Sequence, residues 1–557
     1  RALATDVLAA LSPAQLAALT TAQILALSSD QLRSLATQDL NALTTTQFAV
    51  LTTEQLKGLT SDQFGHLQTQ DLNALSTAQF ASLTSAQLGA LSSDQSGALT
   101  TEQISKMENA DLRALSTSVI AKLSTAQVQA INSEQVVALT TDQIKSFITD
   151  QIVTFNTAEL RAMTSNQVAA LTAAQLGALA INTDQITAID TADITAISTA
   201  TVRALSDVAL AALTPAQLQA LTSNQVAALS SDQIKNLATQ DLNALTTTQF
   251  ALLNSTQLAG LTTDQVAKLE SADLRALSTS VISKLSTDQV QALVSDQVAV
   301  LTLDQIKTLS SEQLNTFSTA EIAALSSAQV ATLSATQLGG LAVNTDQIGA
   351  IDTADITAIS TAVIRALSTA TLAALAPNQL AALTTAQVSA LNTDQLRSLA
   401  TQDLNAFIPA QFAALSTDQL RVLNSDQIGN LQTQDLNALS ATQFASLTSA
   451  QTAGLSTEQI SKLETADLRA LGTSVITKLS TDQVKAIVSD QVAALTTDQL
   501  KTLGTDQLNT FSTSELAALT SNQVAALSST QLAGLALNTD QIGAIDTADI
   551  TAISTAV

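Results

Sequence analysis

The chain contains no cysteine, no tryptophan and no tyrosine, and only one histidine and four prolines among 557 residues. Without cysteine there is no disulfide framework and no thiolate metal site. No Ser–His–Asp set can be assembled widely around the single imidazole of His66. Basic residues are scarce: 22 Lys and Arg face 47 Asp and Glu, a formal charge of −25. That balance disfavours nucleic acid and anionic membrane surfaces as partners. No run of 18 apolar residues exists, so no membrane-spanning helix is expected. A glycine-rich phosphate loop is missing as well. What is present is Ala, Leu, Thr, Ser, Gln and Asp. With 46% hydrophobic residues, the chain can bury a core and is no disordered polar tract.

These few residue types are ordered in an octad, seen most plainly in Leu51 to Leu67, LTTEQLKGLTSDQFGHL. Leu is followed by Ser or Thr, two free positions, Gln, an apolar anchor, a free position and a small residue. Thr52 stands where an N-cap belongs and Gln55 follows three residues later, which is a capping box. Leu51 and Leu56 form the matching hydrophobic staple. The acid, Glu54 or Asp62, falls in the first turn, and Lys57 falls late, as the helix dipole prefers.

One continuous helix does not fit. Eight residues advance an apolar stripe by about 80°, so the stripe would wind around the whole helix. A strand fails too, because the anchors do not alternate with period two. The octad therefore predicts an all-α solenoid of short capped helices, one per eight-residue repeat, held together by packing because such helices are unstable alone. The expected product is an elongated rod with three to five helices per coil, apolar anchors inside, and Thr, Asp and Gln outside.

Octads run unbroken from Leu3 to Leu179, from Ile189 to Leu341 and from Ile351 to Leu535. Between them stand ten-residue units: LAINTDQITAI from Leu179, LAVNTDQIGAI from Leu341 and LALNTDQIGAI from Leu535. A longer period overlies the short one, since RALATDVLAALSP at Arg1 returns at Arg203 and Arg365. The super-repeats are 1–202, 203–364 and 365–557, read as one continuous solenoid and as a segment of a longer array. Equivalent intervals within them differ by 40 and by 8 residues, odd numbers of octads. A hairpin solenoid would exchange inner and outer helices under such changes, so each octad is expected to occupy an equivalent place.

Residue placement follows the same phase. All four prolines (Pro13, Pro215, Pro377, Pro409) fall at the first helical position, where the missing N–H costs nothing. All eleven Phe fall on an anchor. Most glycines lie at the last two positions of a unit, suiting close approach or a helix exit; Gly472 and Gly504 replace the cap.

Few residues suggest chemistry. His66 has no second His or Cys and reads as a surface or packing residue. Three acidic groups recur at the ten-residue units: Asp184, Asp190 and Asp193; Asp346, Asp352 and Asp355; Asp540, Asp546 and Asp549. Carboxylates in such number are the oxygen ligands Ca²⁺ would use. No D-x-D-x-D-G loop accompanies them, and each Asp also fits a cap or first-turn position. Ser96 and Thr452 place hydroxyls on core anchors and read as local weak points. No catalytic residue, cofactor site or enzymatic activity is expected.

LTPAQLQALTSNQ at Leu213 resembles the opening helix of TAL-effector DNA-binding repeats, but those repeats are longer and this acidic chain lacks their second helix and base-reading loop. The whole chain is similar to the Thr/Asp/Gln/Ala/Leu-rich arrays of giant bacterial secreted and cell-surface proteins, the adhesin-like or haem-utilisation exoproteins. That resemblance implies an extracellular, cell-surface location and carries no haem-binding residue onto this chain. The expected role is a fibre, sheath or stalk, adhesion-related, with a protein-binding scaffold as the alternative. The ten-residue units are expected to contact copies of the chain or neighbouring rods.

Overall fold

The computed structural model describes residues 4–535 and 539–553. Every regular element among them is helical, in pieces of four to seven residues that follow the octads one for one. The helix Thr53–Gly58 is typical. Thr52 is extended (φ −74°, ψ 157°), its hydroxyl accepts from the Gln55 N–H at 3.1 Å, and its own N–H donates to Gln55 Oε1 at 2.8 Å. Two of the orphan donors of the first turn are thereby satisfied. Leu59 ends the helix by returning to extended backbone (φ −67°, ψ 144°), and Thr60 caps the next one. The exit uses no left-handed residue: no described residue, glycine included, has positive φ.

The chain divides into two compact units, Arg1–Val281 and Ile282–Val557. The super-repeat junctions at 202/203 and 364/365 each fall inside a unit. Within the first unit, the helix Ser29–Arg33 packs against Thr53–Gly58, three octads on. Gln55 meanwhile reaches back four octads, to the carbonyls of Ile24 and Leu27. In the second unit, Ser425–Gly429 packs on Ser449–Ala453 three octads on, while Gln411 reaches back to Leu380 and Leu383. A coil therefore closes between the third and the fourth octad, near 28 residues, the separation of Gln55 from Leu27. This non-integral closure is why losing an odd number of octads leaves the phase intact. No octad is an inner or an outer one.

The two anchors of each octad form the core. Leu56 and Phe64 are wholly buried, Leu51 and Leu59 nearly so, and all eleven Phe lie inside. Each such side chain contributes about 1.5–3 kcal/mol relative to exposure, which is what holds helices too short to persist alone. The cap and the two free positions after it face water, as at Thr52, Thr53 and Glu54. Glutamine does not, which corrects the expectation that it lies outside. Gln55 is 3% exposed and Gln411 0%. Several late glycines serve close approach: a Cβ on Gly65 would stand 2.6 Å from the Ala90 carbonyl oxygen, and one on Gly429 would strike the Gly454 backbone, whereas Gly349 has open space beside it.

Candidate functional site

Glutamine is buried because its amide does two jobs. The oxygen closes the capping box of its own helix, and the nitrogen then points along the stack. Gln55 Nε2 donates to Ile24 O at 2.9 Å and to Leu27 O at 2.8 Å. The same pair of bonds recurs at Gln87, Gln175, Gln411 and Gln491. A ladder of amide bonds thus joins successive coils within each unit, and a buried donor left without these acceptors would cost about 1–3 kcal/mol. Loss of the hydroxyl cap alone does not break the ladder: Ile148 N–H still donates to Gln151 Oε1 at 2.8 Å, and Gln151 still reaches Ile120 and Leu123.

The ten-residue units displace this ladder. The helices leading into them lengthen to seven residues, Ala173–Leu179 and Ala335–Leu341. Gln185 then bonds Val153 and Phe155, and Gln347 bonds Asn315 and Phe317, two residues further back than Gln55 relative to Leu27. The next three octads carry no glutamine at this position, which holds Asp193, Thr201 and Ala209, then Asp355, Val363 and Thr371. The ladder resumes at Gln217 and Gln379 with its usual partners. The added apolar residues point outward, with Ile181 82% and Val343 78% exposed. Ile181 borders a groove of about 620 Å³ with Thr149, Asp150, Val153, Gly177 and Asn182 among its walls. The third such pair, Ala536 and Leu537, lies outside the described residues.

The acidic triplets of these units are dispersed rather than gathered. Asp184 and Asp346 are exposed, and their N–H groups donate to the caps Asn182 and Asn344. Asp540 is also exposed. Asp190, Asp352 and Asp546 stand at N-cap positions, and the latter two accept from Ala354 N and Ala548 N at 2.8 Å. Asp193, Asp355 and Asp549 accept a hydroxyl proton from Ser165, Ser327 and Ser521 on the coil before. Among the described residues no three His, Cys, Asp or Glu side chains come together as a metal-holding group. His66 is exposed, its Nδ1 2.8 Å from its own helix's Asp62 carbonyl. The buried hydroxyls of Ser96 and Thr452 donate to carbonyls of their own turns, at Ser92 and at Thr448.

Sequence reading overlooked a different set: aspartates standing in glutamine's place. Asp71, Asp111, Asp273, Asp435 and Asp467 are each less than 5% exposed. Burial pushes Asp71 and Asp435 up to about 6. Burial and the nearby charge of Glu464 push Asp467 up to about 7. At Asp111 burial also raises the carboxyl's pKa, opposed by the Ser85 hydroxyl, which donates at 2.8 Å.

A repeat whose short helix is capped by its own glutamine, and whose coil closes through that same side chain, is matched by one family model, the ALTTAQ repeat. Its matches tile residues 1–303 and 348–536 with only short gaps. The chain belongs to the ALTTAQ repeat family. Comparison with curated proteins returns no match. Residues 182–185, in the first ten-residue unit, fall between two matches, and 304–347, which ends in the second, lies outside all of them. No helix among the described residues is long and apolar enough to cross a membrane.

Proposed function

We propose that this ALTTAQ array is a non-enzymatic structural segment of a bacterial extracellular or cell-surface protein, serving as a fibre, sheath or stalk with an adhesion-related role. The observation that carries this reading is the equivalence of octads within each unit. Away from the ten-residue units and the aspartate octads, each unit's ladder recurs from octad to octad, so whole octads can be added or lost without a new kind of contact. The surface supports it: acids and hydroxyls at the cap and free positions face water, as at Thr52, Thr53 and Glu54, while the aromatic side chains that usually anchor partners are all turned inward. Self-association runs through the ten-residue units, where Ile181 and Val343 stand exposed in corresponding places. The groove beside Ile181 favours a second reading, a scaffold that captures a partner protein. Electron microscopy of native material separates the two. Regular fibres or a layer around cells supports the structural role, and monodisperse molecules each holding one soluble partner overturns it. Replacing Ile181 and Val343 by Ser should leave the fold intact and abolish association; unchanged assembly would remove the ten-residue units from the contact.

A further inference from the structure

At the ladder position glutamine donates to the coil before it, and an ionised aspartate has nothing to donate. Neither carboxylate oxygen of Asp71 has a hydrogen-bond partner, nor has Oδ2 of Asp467, and the Asp435 carboxylate has none beyond the Gln432 N–H of its own turn, though these residues are 1%, 4% and 1% exposed. By the ladder's register, the carbonyls that a glutamine would take lie 31 and 28 residues back. These are Leu40 and Leu43 for Asp71, Leu404 and Phe407 for Asp435, and Leu436 and Leu439 for Asp467.

The other neighbour is the first residue of the helix three octads back. Where that residue is a serine, its hydroxyl supplies the proton that the aspartate needs: Ser85 donates to Asp111 at 2.8 Å, Ser165 to Asp193 at 2.5 Å. Thr247 does the same for Asp273. The equivalent of Ser85, 26 residues before the carboxylate, is Pro409 for Asp435 and Ala441 for Asp467, neither of which has a hydroxyl. For Asp71 it is Thr45, which gives no bond to either carboxylate oxygen. All four prolines of the chain stand in this place, before Asp39, Asp241, Asp403 and Asp435.

We propose that Asp71, Asp435 and Asp467, three aspartates in the glutamine register, are proton-operated clasps between successive coils. Protonated, the carboxyl donates its O–H to a main-chain carbonyl of the preceding coil, as the glutamine amide does elsewhere. Ionised, it leaves a buried negative charge beside carbonyl oxygens and loosens that contact. The array therefore tightens in mildly acidic surroundings and loosens locally above neutrality. The raised carboxyls of the three sites place this change close to neutral pH.

Few charges oppose or assist the change. Of the helices packed on Asp71, Thr45–Ala49 has no ionisable group, and Ser93–Gly97 brings only the exposed Asp94. The coil before it holds Asp39, and the coil after it Glu102 and Lys106. Pro409–Ala413, against Asp435, has none, and Thr457–Lys462, reached by Asn437, brings the exposed Glu458–Lys462 pair; Asp403 lies one coil back, and Asp467 and Arg469 one coil on. Asp467 has Glu464 on its own turn. It also has Asp490 on the packed helix Ser489–Ala494, Asp435 one coil back, and Asp498 and Lys501 one coil on; Ala441–Ala445 contributes none.

The test uses the full chain and three proteins: the parent, the triple variant D71Q/D435Q/D467Q, and a control, D94N/D426N/D490N, that removes three exposed carboxylates. Thermal unfolding is followed by circular dichroism from about pH 5 to about pH 8. The parent's midpoint should fall by several degrees as pH rises, the control should keep that slope, and the triple variant should lose it and melt above the parent at the alkaline end. Infrared difference spectra near pH 6 should show a protonated carboxyl band in the parent that is missing from the triple variant. A flat parent profile, a triple variant that keeps the slope, or absence of that band would overturn the proposal. Glutamine is the ladder's own residue, so the triple variant is expected to fold.

Discussion

Two helices in the first unit, Thr53–Gly58 and Thr69–Asn73, start from the same extended cap backbone and differ in the side chains at the cap and at the ladder position. Their anchors are equally buried, with Leu56 and Leu72 both at 0% exposure. The first has a hydroxyl cap at Thr52 and an amide at Gln55 that bonds both ends of the problem, its own first turn and the coil before. The second begins at Gln68, with no side-chain cap bond, and carries Asp71, whose carboxylate oxygens bond nothing. Apolar burial is therefore sufficient to set a helix in place. The polar ladder decides how firmly, and at what pH, one coil grips the next.

Anchor deletions should erase the difference. Leu56→Ala and Leu72→Ala should each cost about 2–5 kcal/mol, as large-to-small core changes do, and to nearly the same extent in chemical denaturation. Unequal losses would mean that the two helices rest on different cores. Next comes the amide itself. Gln55→Met keeps the length and the Thr52 hydroxyl cap but removes the bond to the Thr52 N–H and both cross-coil bonds, which should cost about 2–3 kcal/mol. In a quasi-one-dimensional array that loss should stay local. Hydrogen exchange should quicken around Thr21–Ala26 and Thr53–Gly58, while distant coils keep their protection.

The converse change, Asp71→Gln, should add about 1–2 kcal/mol at pH 8 and progressively less as pH falls. The sign follows from linkage. Burial raises the Asp71 carboxyl from 3.8 to about 6, so the folded chain holds a proton that the unfolded chain has released. Its stabilising contribution is complete below the ordinary value and is lost as pH rises through about 6. Urea titrations of parent and variant at several pH values would measure this directly. A smaller effect is expected of Ala441→Ser, which places a hydroxyl before Asp467 as Ser85 stands before Asp111. It should stabilise the second unit by about 1 kcal/mol at neutral pH and lower the Asp467 pKa, readable by carboxyl-carbon NMR. The least effect belongs to the surface: breaking the exposed Lys268–Asp264 pair by Lys268→Ala should cost under about 1 kcal/mol.

Much of this was legible before any coordinates. The cap at Thr52, the box with Gln55 and the buried anchors are interactions within one octad, so their spacing displays them. The glutamine was misplaced on the outside because only half of its amide acts locally. Oε1 explains the capping box, whereas Nε2 finds its acceptors 31 and 28 residues away, at Ile24 and Leu27. The prolines show the same limit. Their harmlessness at the first helical position is local and was read correctly, but their register before Asp39, Asp241, Asp403 and Asp435 has meaning only once the coil length is known. Glycine followed suit: its place late in the octad was visible, while the choice between turn and close approach depended on what packs against it, such as Ala90 against Gly65.

By itself, then, the sequence determined the phase of the octad, where each helix starts and stops, and which two side chains per repeat seek the core. Those follow from caps, dipoles and apolar spacing over eight residues. Tertiary structure alone decided that a coil closes between the third and fourth octad, and so which main-chain carbonyl meets which amide or carboxylate. The reason is physical. Coil closure is set by how helices of fixed length pack around their anchors, and that geometry, rather than any local pattern, makes Gln55 a clasp and Asp71 a buried charge.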